Sequence, residues 1–231
     1  VQHNRLYEHH NVKSDAILLG KMALCFLPIA VLILLQPDLG TLLVFIAILG
    51  GVALVSGVTW RILAPVIALA STIGATLLAL VLSPTGKVVL DALGFKLYQF
   101  DRIQTWLHPD QDTSSKGYQT YQSLKAIGSG QLTGQGFGHL KVYVPVRESD
   151  MIFSVIGESF GFVGGTLLIV LYFALIYRLI RATFRAQNAF YAYIATGVVM
   201  MVVFHVFENI GMSIGLLPLT GIPLPFISQG G

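Results

Sequence analysis

The chain has 231 residues, of which 55% are hydrophobic and only 11% are charged. An average soluble domain carries about 25% charged residues, so this composition, with a mean hydropathy of +0.75, excludes a soluble protein and indicates an integral membrane protein. The 14 Lys and Arg residues exceed the 11 Asp and Glu residues too slightly to suggest nucleic-acid binding. A single cysteine, Cys25, excludes an internal disulfide framework.

Five apolar stretches are long enough to cross the hydrocarbon core of a membrane, which takes about 20 residues within a range of roughly 17–25. The predicted spans are residues 16–35, 41–57, 62–82, 151–180 and 189–217. The first two are separated by a tight polar break that contains Asp38, which is predicted to cap the second span rather than to do chemistry. The sequence therefore predicts an all-α polytopic helical bundle, one membrane domain over residues 1–231, with one large loop at residues 83–150.

The basic residues predict the orientation of the spans. Because successive spans alternate in direction, the N-terminal segment and the turns at 59–61 and 178–188 share one side. That side holds Arg5, Lys13, Lys21, Arg61, Arg178, Arg181 and Arg185, whereas the short connections opposite hold no Lys or Arg. Short cytoplasmic segments carry an excess of Lys and Arg. The basic side is therefore predicted to be cytoplasmic and the large loop extracellular.

The large loop is too rich in aromatic residues for a disordered linker. Residues 88–100 predict an amphipathic helix on the membrane surface, with Leu90 among the side chains that face lipid. Residues 118–127 predict a second helix. The glycines that follow it fit turns, or a backbone that lets a phosphate or sugar approach its N–H groups. They are Gly128, Gly130, Gly134, Gly136 and Gly138.

The chain changes from polar to apolar at Asp150. This residue fits two interpretations: a cap of the fourth span, or a reactive carboxylate where a lipid headgroup meets water. Glu158 and Glu208 lie inside the fourth and fifth spans, where unpaired carboxylates are costly, so both are predicted to join a polar layer and not to face lipid. His205 and Glu208 are a weak metal-binding signal, and a structural polar cluster is favoured.

Several motifs together resemble one protein family. They are QPDLGT at 36–41, GYQTYQSLKAIGSGQLTGQGFG at 117–138, VPVRESDMIFSVIGESFGF at 144–162 and NIGMSIGLLPLTGIPLPFISQGG at 209–231. These motifs resemble the SEDS family, which includes RodA, FtsW and SpoVE. The stretch GLLPLTGIPLPFIS resembles the RodA branch, for cell elongation, more than the FtsW branch, for division. The resemblance implies a fragment that lacks the family's first four spans and its last. Gln131 stands where the family usually has Gly.

The resemblance implies that lipid II is polymerised into glycan strands at the outer face of the bacterial plasma membrane, beside a class B penicillin-binding protein that crosslinks them. The family's essential acid falls on Asp150, where Ser149 and Met151 replace the usual Thr and Phe. This inverting transfer needs a base for the acceptor hydroxyl and cations for the leaving pyrophosphate, or a divalent ion such as Mg²⁺. Asp150 is thus predicted as general base or cation-holding acid. The predicted substrate-binding residues are Arg102, Lys125, Lys141, Arg147 and Glu158.

The alternative function is a flippase, a transporter of the lipid-linked precursor. Transporters place charges and broken helices near the bilayer midplane, which fits the Pro- and Gly-rich segment at 218–225 and the acids Glu158 and Glu208. The large ordered loop that ends at an acid favours the enzyme. A purely structural scaffold would leave that acid without a chemical task.

Overall fold

The computed structural model describes residues 11–36, 38–83, 85–86, 88, 90, 103, 105–107, 117–185 and 188–229. These residues form helices, turns and irregular connections, and none of them lies in a strand. Two predictions fall outside the described residues. One is the role of Arg102, and the other is the 91–100 part of the predicted surface helix.

The membrane helices confirm the predicted all-helical polytopic fold. In chain order the principal helices are α1 (Val12–Leu35), α2 (Leu39–Val55), α3 (Trp60–Leu82), α4 (Tyr118–Ser129), α5 (Ile152–Arg185) and α6 (Ala189–Ser213). By length and composition α1, α3, α5 and α6 can each cross a membrane, and α2 is a shorter apolar helix of 17 residues. The prediction was wrong about residues 178–185, which continue α5 instead of forming a turn. No Gly or Pro stands in that stretch to stop the helix.

The chain divides into two compact units. The first comprises Val1–Ile73 and Ala174–Phe204, and the second comprises Gly74–Phe173 and His205–Gly231. In the first unit, the buried carboxylate of Asp15 accepts hydrogen bonds from the backbone N–H of Thr59 at 2.9 Å and from its hydroxyl at 2.8 Å. These bonds tie the start of α1 to the turn before α3. The single domain over residues 1–231 stays a prediction.

Asp38 caps α2, as predicted. Its Oδ1 accepts a hydrogen bond from the N–H of Thr41 at 3.0 Å, and its Oδ2 accepts one from the Thr41 hydroxyl at 2.6 Å. Both carboxylate oxygens thus serve the first turn of the helix, which otherwise has unpaired N–H groups.

Leu90, in the second unit, does not face lipid as predicted. Its side chain is only 1% exposed and packs in a small cluster with Val81, Leu80 and Ile103. The end of α3 supplies an apolar surface that covers Leu90, so this part of the loop is anchored by protein contacts.

Candidate functional site

The helix α5 is broken at Gly161, whose backbone angles of φ 65° and ψ −160° are not helical. The segment 130–138, here called the glycine loop, hydrogen-bonds to the backbone on both sides of the break. The bonds run from Gln135 N–H to Glu158 O (2.9 Å), Gly136 N–H to Ser159 O (3.0 Å), Phe162 N–H to Gln131 O (2.8 Å) and Val163 N–H to Leu132 O (3.1 Å). Lipid cannot satisfy freed backbone groups, so the loop supplies the partners that the broken helix lacks.

Two glycines of this loop permit the contact between the two backbones. A Cβ atom on Gly130 would lie 1.9 Å from the carbonyl oxygen of Gly157, and one on Gly134 would lie 2.1 Å from that of Ser159. Gly134 and its neighbours at 136 and 138 all have positive φ, which fits the turn interpretation. The close approach at residues 130 and 134 is to the chain's own backbone.

The Glu158 side chain holds the segment that follows the glycine loop. It is 1% exposed, and its Oε1 accepts hydrogen bonds from the backbone N–H groups of Lys141 at 2.7 Å and Val142 at 3.0 Å. Lys141 Nζ in turn donates to Oε1 of Gln135 at 2.7 Å. The carboxylate predicted to bind substrate is therefore engaged by the loop backbone, and its direct contact with substrate stays a prediction.

Asp150 lies in the turn just before α5, which begins at Ile152. Its side chain is half-buried, and its Oδ1 accepts a hydrogen bond from the Ser149 hydroxyl at 2.7 Å. In the described part of the chain, no first-turn amide of α5 donates to this carboxylate. The first turn is instead closed by Ser154, whose N–H and hydroxyl both donate to the carbonyl of Met151. The capping interpretation of Asp150 is thus wrong in this geometry.

The C-terminal segment, residues 214–229, is pinned to the turn that carries Asp150. The hydrogen bonds of this segment run from Gln229 N–H to Glu148 O (2.8 Å), the Ser228 hydroxyl to Ser149 O (2.6 Å), the Asn209 amide to Ile222 O (2.8 Å) and the Tyr172 hydroxyl to Pro225 O. Gly221 lies beside the acid: a Cβ there would be 3.4 Å from Oδ2 of Asp150. Because Gly221 has no side chain, the space next to Oδ2 stays open.

Asn209 connects α6 with the turn of Asp150 and with the C-terminal segment. Its side chain is fully buried, and its Nδ2 donates to the carbonyl of Asp150 at 2.7 Å and to that of Ile222 at 2.8 Å. Its Oδ1 is buried and has no partner among the described residues. This contact between Asn209 and Asp150 was not predicted. The available signal was an amide inside an apolar run, where a polar side chain requires a specific partner.

Apolar packing around Met151, the residue after Asp150, holds the turn of Asp150 in place. Met151 is fully buried in a cluster with Ala126 of α4 and Val144, and Val142 and Leu219 pack against this cluster. The cluster that contains the residue next to Asp150 therefore connects α4, the segment after the glycine loop and the C-terminal segment.

The basic residues predicted to bind substrate lie in different places. Arg147 is half-buried in the turn of Asp150. Lys125 is exposed on α4, next to Ala126, and Lys141 is exposed next to Val142, so each flanks a residue that belongs to the Met151 cluster or packs against it.

The two intramembrane acids are buried, as predicted. Glu158 is 1% exposed and Glu208 is 4% exposed, so neither faces lipid. The Thr220 side chain lies near the Glu208 carboxyl group. That the two acids form one layer stays a prediction. The described residues contain no group of three or more His, Cys, Asp or Glu side chains placed to hold a metal ion. Within that part of the chain, His205 and Glu208 therefore have no third side chain with which to form a metal site.

Known proteins of one family are similar to this chain over most of its length. The family model described as cell cycle protein, for FtsW, RodA and SpoVE, matches residues 3–231. The peptidoglycan glycosyltransferase MrdB of Escherichia coli is 36% identical over 218 residues, which are 91% of this chain and 54% of MrdB. Stage V sporulation protein E of Bacillus subtilis is 40% identical over 137 residues, 58% of this chain and 37% of that protein.

A solved structure of a peptidoglycan synthase complex, described as showing the structural coordination of polymerization and crosslinking, contains a similar chain. It matches with a TM-score of 0.70 and 28% identity, over 91% of this chain and 55% of the other. The chain spans about half the length of MrdB, at 54%.

Proposed function

Because the chain belongs to the FtsW, RodA and SpoVE family of cell cycle proteins, we propose that this protein is a peptidoglycan glycosyltransferase that polymerises lipid II into glycan strands. The observation that carries the proposal is the half-buried Asp150 carboxylate, held at the start of a membrane helix and not used as its cap. We place the activity at the outer face of the bacterial plasma membrane, with residues 83–150 outside and residues 178–188 in the cytoplasm, as the Lys and Arg distribution predicts.

In the proposed reaction a sugar hydroxyl attacks the anomeric carbon of a second lipid-linked sugar. A carbon–oxygen bond forms, the bond to the isoprenyl pyrophosphate breaks with its electron pair, and the hydroxyl proton goes to Asp150. The Ser149 hydroxyl engages Oδ1, which leaves Oδ2, beside Gly221, for the incoming hydroxyl. In the variant mechanism, the carboxylate instead holds a divalent cation that neutralises the leaving group.

The leaving pyrophosphate requires positive charge close to the acid. Arg147 is the best placed of the described candidates because it shares the turn of Asp150. Lys125 and Lys141 are exposed next to residues of the Met151 cluster or packed against it, and we propose that they contact the same phosphates. Charge-assisted hydrogen bonds from these side chains would stabilise the charge that develops on the leaving group.

The partner and the cellular role follow from family likeness. We propose that a class B penicillin-binding protein crosslinks the strands, in line with the peptidoglycan synthase complex that contains a similar chain. We place the protein in cell elongation because residues 215–228 resemble the RodA branch and MrdB is among its relatives.

Polymer synthesis without a sealed membrane tests the function. Full-length protein in detergent, with its partner, is expected to convert lipid II into glycan polymer. A flippase moves its substrate between two compartments and makes no polymer in detergent. If the folded complex formed no polymer, that result would therefore favour the flippase. The break at Gly161 resembles the broken helices of transporters, but its freed backbone groups are paired with the glycine loop, which favours the enzyme.

Glu158→Ala is expected to loosen the segment after the glycine loop, whereas Glu158→Gln should leave it in place. Alanine leaves the part-buried N–H groups of Lys141 and Val142 without this acceptor, which costs at most about 1–3 kcal/mol for each group. Glutamine keeps an oxygen at the same position. Limited proteolysis near residue 141 and polymer yield should both change in the alanine variant only. If both variants lost polymer equally while the segment near residue 141 of the Glu158→Gln variant still resisted proteolysis, the charge of Glu158 would be assigned to substrate binding.

A further inference from the structure

An open concavity of about 620 Å³ lies against the C-terminal end of α5. It is lined by Ala174, Tyr177, Arg178, Arg181, Ala182 and Arg185, and is called here the arginine cavity. Residues three and four apart share a helix face, so the three arginines line one stripe of α5. The small side chains of Ala174 and Ala182 leave the space between them.

The charge of this stripe is not neutralised by the described residues. Among them, the Tyr177 ring contacts one of these guanidinium groups, and its centroid lies 5.8 Å from Cζ of Arg181. The helix dipole explains a cation in the last turn, where Arg185 lies, but not Arg178 and Arg181 further in. Like charges on one helix face are destabilising, so an anion in the cavity would relieve the repulsion.

We propose that the arginine cavity binds the headgroup of an anionic membrane phospholipid. The part of α5 after the break, residues 162–185, is roughly 36 Å long, whereas the hydrocarbon core is about 30 Å thick. The basic end of the helix therefore reaches the headgroup region. Planar guanidinium groups match phosphate oxygens in paired hydrogen bonds.

Apolar neighbours favour a lipid over a free phosphate ion. Tyr177 is 53% exposed beside the arginines, and Ile180 and Phe184 are exposed in the same turns. Tyrosine is enriched where membrane meets water, and the two apolar side chains offer a surface to acyl chains. The arginine cavity thus supplies three cations for the headgroup, and the exposed apolar side chains beside it offer area for the rest of the lipid.

The test compares phosphatidylglycerol with phosphatidylcholine. Delipidated full-length protein is titrated with each lipid, and bound lipid is counted by native mass spectrometry. Wild-type protein is expected to prefer phosphatidylglycerol, and each Arg→Gln change in the cavity should weaken that binding roughly five-fold. Phosphatidylcholine binding should not change. Because the arginines are exposed, thermal unfolding should match that of the wild type.

Arg61→Gln is the matched control. Arg61 is an exposed arginine near the start of α3, and it does not line the cavity. Its substitution removes one charge and should leave phosphatidylglycerol binding unchanged. Wild-type binding in the R178Q/R181Q/R185Q variant, or an equal loss in R61Q, would overturn the proposal. Inorganic phosphate that binds the cavity in preference to the lipid would assign the site to a free anion and overturn it as well.

Discussion

Asp150→Asn is expected to abolish lipid II polymerisation while leaving the amount of protein in the membrane unchanged. An amide cannot take the proton of the acceptor hydroxyl or hold a cation, and loss of general base catalysis typically lowers rates by about 10²–10⁴-fold. Since the carboxylate caps no described first-turn amide of α5, Asp150→Ala should destabilise the helix no more than the Asn variant does. The measurement is glycan polymer formed by full-length protein with its partner, normalised to protein level.

Asp38 provides the matched control for this experiment. It is also an aspartate just before a membrane helix, but both of its oxygens bond to Thr41. Asp38→Ala should lower stability by about 1 kcal/mol, the typical effect of a lost cap, and should retain polymerisation. Near-normal polymerisation by Asp150→Asn would move the catalytic assignment elsewhere, with Glu158 as the next carboxylate to test.

Gly130→Ala is expected to displace the glycine loop from the break in α5. The new Cβ would lie 1.9 Å from the carbonyl oxygen of Gly157, and a backbone atom cannot rotate away as a side chain can. We expect destabilisation of about 3 kcal/mol, the upper end for overpacking. The expected results are a lower unfolding temperature, faster proteolysis of residues 130–138 and loss of polymer.

Gly128→Ala is the control, two positions away and inside α4. A Cβ there has nothing within 4 Å, and alanine stabilises a helix interior by roughly 0.5–1 kcal/mol relative to glycine. The two variants should therefore shift the unfolding temperature in opposite directions. If Gly130→Ala unfolded at the same temperature as Gly128→Ala, the close approach to Gly157 would not exist.

The membrane helices were predictable because each depends mainly on its own residues. An apolar stretch of sufficient length must cross the membrane as a helix. Asp38 was predictable for the same local reason, since the cap and Thr41 lie in one turn. The end of α5 was misplaced because a run of charges was interpreted as a turn, although Arg178 and Arg185 are compatible with helix.

The geometry around the acid depends on contacts distant in sequence, which is why it was missed. Gly161 breaks α5, while Gly165 nearby does not. The sequence is apolar around both, and the difference is that the glycine loop supplies backbone partners only at the first. Gln131 has a left-handed φ of 50°, a conformation that glycine adopts more readily, so residue type alone did not predict the loop geometry at this position.

The break at Gly161 also has a consequence for how the protein is made. The loop partners at 131–136 leave the ribosome before residues 158–163, yet neither segment can complete its hydrogen bonds alone. Unpaired backbone groups in hydrocarbon cost several kcal/mol each, so the start of α5 cannot rest stably in lipid until the loop folds back onto it. We therefore expect folding of the loop onto α5 and membrane insertion of this helix to occur as one cooperative step of biogenesis, so that blocking either would block the other.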